Sequence, residues 1–361
     1  MKLDMRMVSM EFITPFETSF GRQMERNALI FRLENNGITS YSECVADTDP
    51  FYSYEDNETS AHIVKKYLSE KIRTLPDPEE FMESVSFVKG HNMAKAAIEM
   101  LLWDYRAREE KKPLHELIGK SKGYADVGIS IGMDKVEKVQ ERALKAKNEG
   151  YKRVKIKIKK GREADLVSAV RKTIGDFPLS VDANTDYRIE DMETLEGLDR
   201  YNLVYMEQPF EHSDIIDHAR LASRIRTPIC LDESITSAED ARKAISMKAC
   251  SVINIKPGRV GGLSESMKIA EICHRNGCHT WVGGMLETGI GRGYNVSIAS
   301  NSLFDFPGDT SPNSHYYHRD IVKNPFVMKN GRITPNDGPG TGVEVDREYL
   351  AQVTKWSMDL I

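Results

Sequence analysis

The feature that most constrains this chain is a ladder of charged residues, each closing a short apolar run. Lys157, Asp182, Glu207, Asp232 and Lys256 follow one another at intervals of 25, 25, 25 and 24 residues. The runs they close are rich in β-formers: Val154-Lys155-Ile156-Lys157, Leu179-Ser180-Val181-Asp182, Leu203-Val204-Tyr205-Met206-Glu207, Ile229-Cys230-Leu231-Asp232 and Val252-Ile253-Asn254-Ile255-Lys256. An interval of about 25 is what a parallel strand, its helix and two connecting loops consume. When such strands close into a barrel, their C-terminal ends converge on the face where these folds keep their chemistry. The ladder therefore predicts three carboxylates gathered between two ammonium groups.

The remaining sequence extends this pattern. A first rung falls at 127–132, a seventh strand at 279–284 and an eighth at 303–307, with helices near 136–148, 162–174, 193–198, 215–225, 238–245 and 262–276. Eight rungs imply a closed α/β barrel over residues 123–320. Residues 1–122 read as a separate α+β module, with strands at 7–13, 28–33 and 39–46 followed by a helix over 94–109. Residues 14–22 carry Pro15 and Gly21 and read as a loop. Its apolar Phe16 and Phe20 suit a lid, together with Thr18 and Ser19, although a plain hairpin connection needs only turn residues. Residues 321–361 lack the 25-residue period and are expected to return onto the first module.

Charge and composition exclude several classes. The 361 residues carry 50 Lys and Arg against 55 Asp and Glu, and a net charge of −5 spread along the chain argues against nucleic acid. No run approaches the roughly 18 apolar residues of a membrane span, and Met1-Lys2-Leu3-Asp4 opens no signal peptide. A cytoplasmic homo-oligomer acting on a small-molecule carboxylate is the expectation. Five cysteines in mostly apolar surroundings favour reduced, buried thiols. Cys273-His274 and Cys278-His279 resemble zinc ligands, but Gly277 should stop a helix and send the two pairs in different directions.

The ladder also sets the chemistry. Asp182, Glu207 and Asp232 offer oxygen alone, which suits Mg²⁺, or Mn²⁺, rather than zinc. Along Lys155-Ile156-Lys157-Ile158-Lys159 the lysines share one face of a strand and the isoleucines the other, so the lysines point into the barrel. Crowding by Lys155 and partial burial favour an uncharged amine at Lys157, as a general base needs. Lys256, across the barrel, would act as a second acid or base, or as a fixed cation beside a developing enolate.

These stretches resemble the enolase superfamily. Lys155 and Lys157, Asp182-Ala183-Asn184, Glu207-Gln208-Pro209, Leu231-Asp232-Glu233-Ser234 and Asn254-Ile255-Lys256-Pro257-Gly258-Arg259 match the subgroup with one lysine on each side of the substrate. Residues 15–21, Glu43-Cys44-Val45-Ala46, 96–104, Gly283-Gly284-Met285-Leu286-Glu287-Thr288-Gly289 and Phe306-Pro307-Gly308-Asp309 narrow the likeness to the o-succinylbenzoate synthase and N-succinylamino acid racemase family. The resemblance implies a modified TIM barrel, (β/α)₇β, under an N-terminal α+β capping domain completed by the C-terminal segment. It implies Mg²⁺ on Asp182, Glu207 and Asp232, with Lys157 and Lys256 catalytic. Ser130, Lys155, Asn184, Glu233, Gly284, Met285 and Leu286 would line the substrate or support the metal shell, and Phe16, Thr18, Ser19 and Phe20 would form the lid. Dehydration to o-succinylbenzoate is the first expectation and racemisation of N-succinylamino acids the alternative. Mandelate racemase-type enzymes would need a His ending the seventh strand, and dipeptide epimerases an Asp-x-Asp near the last.

Overall fold

A computed structural model describes residues 1–18 and 21–361. Three antiparallel strands open the chain: β1 (Lys2–Thr18), β2 (Gly21–Asn35) and β3 (Ile38–Cys44). Asn36 and Gly37 both take positive φ, 49° and 78°, as a tight turn between right-twisted strands requires. The helix Asn92–Glu109 lies on this sheet and buries Ala94, Ala97, Leu101 and Tyr105 among other side chains. Its first turn is satisfied by Glu55, which accepts from the Met93 and Ala94 amides at 3.0 and 3.2 Å.

The first two strands run further than their hydrophobic alternation suggests. Pairing resumes at Phe16 with Gln23 and continues to Thr18 with Gly21, so 14–18 and 21–22 belong to the strands of a hairpin arm rather than to a loop. Pro15 is compatible with this because it falls in the irregular stretch between Glu11 and Phe16, where no ladder amide is required of it. The arm is tied to the barrel by the Ile13 amide, which donates to the Tyr316 carbonyl at 2.8 Å, and by Phe12 stacked on Tyr317 at 5.5 Å. Of the expected lid, Phe16 and Thr18 occupy backbone positions in β1, while Ser19 and Phe20 lie outside the described residues.

The barrel follows. After β4 (Ala125–Asp126) come β5 (Gly128–Ile131), β6 (Arg153–Lys157), β7 (Leu179–Asp182), β8 (Met206–Glu207), β9 (Ile229–Leu231), β10 (Val252–Ile255) and β11 (His279–Val282). β5 to β11 form a seven-stranded parallel sheet in sequence order. Helices such as Val136–Asn148 and Glu163–Ile174 cover it through apolar stripes, Val139, Ala143 and Ala146 in one and Leu166, Val167, Val170 and Ile174 in the other.

The eighth strand expected at 303–307 does not form. The Asp309 amide donates to Val282 at 2.9 Å, the Gly128 amide to Gly308 at 2.8 Å and the Gly308 amide to Asp126 at 3.0 Å, so an irregular segment closes the ring between β11 and β5. Pro307 has no amide to place in a ladder, and a Cβ on Gly308 would stand 2.6 Å from the Val282 carbonyl. The architecture is a modified (β/α)₇β barrel beneath a capping module. Two later strands complete it: β12 (Arg332–Ile333) pairs with β4, and β13 (Thr354–Asp359) pairs antiparallel with β1 at the edge of the cap sheet.

Two buried carboxylates of the cap dock it onto the barrel. Glu43 accepts from the Thr288 amide (3.0 Å), the Thr288 hydroxyl (2.7 Å) and the Gly291 amide (3.2 Å), at the start of the helix Gly289–Ala299. Glu99 does the same for the helix Leu263–Arg275, accepting from the Leu263 and Ser264 amides at 2.9 Å each. Orphan amides and the helix dipole both favour an acid there. Among the described residues no helix is long and apolar enough to cross a membrane.

Candidate active site

Strand register assembles the ladder. Lys157 is the Cα partner of Asp182, and Asp182 of Glu207, so these charges stand level at the ends of β6, β7 and β8. Asp232 and Lys256 each follow directly on the last residue of β9 and β10. β6 and β10 lie four places apart in a ring of seven strands and one closing segment, which sets Lys157 and Lys256 on opposite sides of the mouth.

Asp182, Glu207 and Asp232 are all at most 1% exposed. Buried carboxylates need compensation, and each finds a cation. Lys157 Nζ donates to Asp182 Oδ2 at 2.7 Å and also to Asn184 Oδ1. Lys155 Nζ donates to Glu207 Oε2 at 2.8 Å, and lies 3.3 Å from Asp182 Oδ2 and 2.8 Å from Asp309 Oδ2. Lys256 Nζ donates to Asp232 Oδ2 at 2.8 Å and to Tyr52 Oη at 3.1 Å, while Arg259 binds the other oxygen of Asp232. Burial alone would raise the Asp182 carboxyl, but Lys157 and Lys155 outweigh it and hold it at about 2. Burial would likewise lower Lys256, yet Tyr52, Glu233 and Glu207 keep it above its ordinary value.

Lys155 is buried among carboxylates at the same strand end. Burial favours its neutral form, but Asp309, Glu207 and Asp182 hold it well above the ordinary lysine range. Its charge is spoken for by three carboxylates. Lys157 has Asp182 as its ion-pair partner, at 2.7 Å.

Among the described residues no three His, Cys, Asp or Glu side chains form a ready-made metal cage, since each acid of the trio faces a cation. The donor set still fits a hard divalent ion: it is all oxygen and buried. Glu233 Oε2 and Asn254 Oδ1, in the same cluster, are buried with no hydrogen-bond partner. Asn254 Nδ2 donates to Glu207 Oε1 at 2.8 Å, and Gln208 Oε1 accepts from the Asp232 amide at 3.0 Å, so the trio is fixed from behind. Asn184, Gln208 and Leu286 take φ of 42°, 38° and 59°, left-handed backbone gathered at one site.

A cavity of about 200 Å³ opens above this cluster. Of the residues expected in the site, Ser130, Lys155, Lys157, Asp182, Asn184, Lys256, Gly284, Met285 and Leu286 line it. Glu207, Asp232 and Glu233 are buried and are not among its lining residues. Gly283 is required here because a Cβ would meet Asn254 Oδ1 at 2.2 Å. Sequence reading missed Gln23, Asp47, Asp49, Phe51 and Tyr52, which the cap contributes, and Tyr316 and Asp309. The cap residues share no period with the ladder and left no signal. Asp309 did, since it follows the eighth rung by two residues. The mandelate racemase-type histidine is absent from the end of β11, where Gly283 and Gly284 follow Val282; His279 sits at the start of the strand, against Asp305.

A capped parallel barrel with acids and opposed lysines at its strand ends defines an enolase-type enzyme. Residues 138–349 match the enolase C-terminal domain-like family and residues 2–119 the mandelate racemase / muconate lactonizing enzyme N-terminal domain, and the chain belongs to this family. It is similar to an o-succinylbenzoate synthase of Geobacillus kaustophilus, with 40% identity over 98% of this chain and 95% of the relative. It is equally similar to an N-succinylamino acid racemase of an Amycolatopsis species, with 40% identity over 98% of this chain and 96% of that one. A solved enolase-superfamily structure from Listeria innocua superposes with a TM-score of 0.96 at 38% identity, covering 99% of this chain and 98% of that one. Members of this family are divalent-metal-dependent enzymes.

Proposed function

We propose that the protein is an o-succinylbenzoate synthase, which removes water from 2-succinyl-6-hydroxy-2,4-cyclohexadiene-1-carboxylate to give the aromatic product used in menaquinone synthesis. The observation that carries this reading is the placement of Lys157 and Lys256 on opposite sides of one cavity, above three buried acids. Asp182, Glu207 and Asp232 would hold the ion, Mg²⁺ or Mn²⁺. When bound, such an ion supplies positive charge next to the substrate carboxylate and eases ionisation of the adjacent carbon.

The chain's own residues do the rest. Lys157 faces the cavity and takes the proton from that carbon, positioned by Asp182 and Asn184. Lys256 stays protonated, supported by Tyr52, Glu233 and Glu207, and stands as a fixed cation beside the enediolate. The carbon-bound proton and the departing hydroxide together make one water, so no outside proton donor is required. Met285 and Leu286 supply an apolar wall that excludes solvent from the reacting carbon.

Racemisation of an N-succinylamino acid is the second reading, and a specific observation favours it: both lysines reach the cavity, so one can take a proton from one face while the other returns one to the opposite face. The deciding measurement compares kcat/KM for the cyclohexadiene substrate with kcat/KM for a panel of N-succinylamino acids. The synthase value should be the larger. A value lower by orders of magnitude overturns the first reading in favour of the second.

A further inference from the structure

Along β6 the inward face carries Arg153, Lys155 and Lys157 in turn, and the function proposed above uses only the last of them. Arg153 and Lys155 are 1% and 3% exposed, so two cations lie side by side inside the barrel. Both rest on one aromatic bed. The Arg153 guanidinium lies 4.8 Å and the Lys155 ammonium 4.7 Å from the centre of the Trp281 ring, which stacks on Tyr205 at 5.8 Å. An aromatic face eases the burial of a cation but does not cancel its charge; a carboxylate has to do that.

Asp309 supplies it for both. Its Oδ1 accepts from Arg153 Nη2, and its Oδ2 lies 2.8 Å from Lys155 Nζ. Among the described residues Arg153 has no other ion-pair partner, whereas Lys155 also reaches Glu207 Oε2 at 2.8 Å and Asp182 Oδ2 at 3.3 Å. Asp309 stands in the irregular segment that closes the barrel, and its backbone is pinned there. The Asp309 amide donates to the Val282 carbonyl at 2.9 Å, and its carbonyl accepts from Arg292 Nη1 at 3.0 Å. Gly284 leaves room for that carbonyl, since a Cβ would stand 2.8 Å from it. The Asp309 side chain borders the cavity but is only 13% exposed, with a cation on each oxygen. That occupancy suits it to holding a neighbour in place rather than to taking a proton from substrate.

We infer that Asp309 is a positioning residue that retains the Lys155 ammonium against the pull of the acids assigned to the ion, and so sets how tightly the site takes a divalent cation. The inference rests on the assignment of Asp182 and Glu207 as ion ligands. Lys155 is shared among three acids, and two of them are those ligands. Charge given to an ammonium is charge withheld from a divalent ion, so Lys155 competes for the site unless another acid holds it. Asp309 is the one of the three that lies outside the ligand trio, and Arg153 anchors its other oxygen. With Asp309 neutralised, Lys155 is left with Glu207 and Asp182 alone, and its charge opposes the entry of a divalent cation there.

The test measures Mn²⁺ binding to the full-length protein without substrate, from the electron paramagnetic resonance signal of the free ion. Asp309→Asn should raise Kd about tenfold or more, the size expected when a group supporting the metal ligands is lost. In a Lys155→Met background the same substitution should change Kd by less than about twofold, because its effect runs through Lys155. An Asp309→Asn protein that binds as the wild type does, or one whose loss is the same with and without Lys155, overturns the proposal. If Asp309→Asn does not fold because Arg153 is left unpaired, Arg153→Met is compared with Arg153→Met/Asp309→Asn. Binding about tenfold weaker in the double variant supports the proposal, and equal binding overturns it. Asp182→Asn tells the two assignments apart, since it should abolish binding. Mn²⁺ held equally well by Asp182→Asn, or not held by the wild type, removes the ligand assignment and this inference together. Loss of binding in Asp182→Asn with no effect of Asp309→Asn removes this inference alone.

Discussion

Buried carboxylates serve this molecule in two regions, and the two sets behave oppositely. At the seam between cap and barrel, Glu43 and Glu99 accept hydrogen bonds chiefly from backbone amides and hydroxyls at helix starts. Burial pushes Glu43 up to about 7 and raises Glu99 as well. At the mouth, Asp182 and Asp309 are as deeply buried, yet lysines and, for Asp309, Arg153 hold both well below the usual carboxylate range. Desolvation acts on both sets; the charge of the partner decides the outcome. Neutral donors let an acid act as a clamp, whereas ammonium partners keep it ionised, which is the form a divalent ion requires.

The largest expected effect concerns the mouth. EDTA should lower turnover by about 10³-fold or more, and added Mg²⁺ or Mn²⁺ should restore it; activity that survives chelation would mean that these acids serve only as lysine partners. Replacing Lys157 with Ala should lower kcat by roughly 10³-fold, within the range of a lost general base, with an unchanged circular dichroism spectrum. A variant that keeps its turnover would remove Lys157 from the mechanism.

Lys155→Met tests compensation directly. It leaves Glu207, Asp182 and Asp309 short of a shared cation, and urea unfolding should register a loss of about 3–5 kcal/mol. No loss would show that the mouth acids do not depend on this ammonium.

At the seam the effect is smaller and runs with pH. The folded-state value of Glu43 is about 7 against an ordinary 4.5, so the folded protein holds the extra proton between those limits. Its contribution is full below about pH 4.5 and is lost as pH rises through about 7, amounting to about 3 kcal/mol over that window. Glu43→Gln should flatten the dependence of the unfolding midpoint on pH there. An unchanged slope would break the contrast between seam and mouth.

Much of the barrel was legible because its period is local. Each strand and helix must bury one face and then turn back, so the spacing of Lys157, Asp182, Glu207, Asp232 and Lys256 reports equivalent places in successive units. The alternation that turns Lys155 and Lys157 inward, and the oxygen-only donor set, follow from residue type and strand geometry alone. The eighth rung was misread because Leu303, Phe304 and Phe306 look like a strand, while closure there needs Pro307 and Gly308 to break one. The hairpin arm was cut short in the reading at Pro15, which only the register change between Glu11 and Phe16 accommodates.

Tertiary structure decided which charge meets which. Lys155 serves three carboxylates up to 154 residues away, Tyr52 of the cap reaches Lys256, and Glu43 clamps a helix beginning near residue 289. None of these pairings has a local signature, because each depends on two modules docking in one orientation. The sequence by itself determined that acids and lysines would share one end of a barrel. Docking and register decided that Asp182 and Asp309 at the mouth are held low and that Glu43 and Glu99 at the seam are pushed up, because burial sets the penalty for a charge and only the folded neighbours set its compensation.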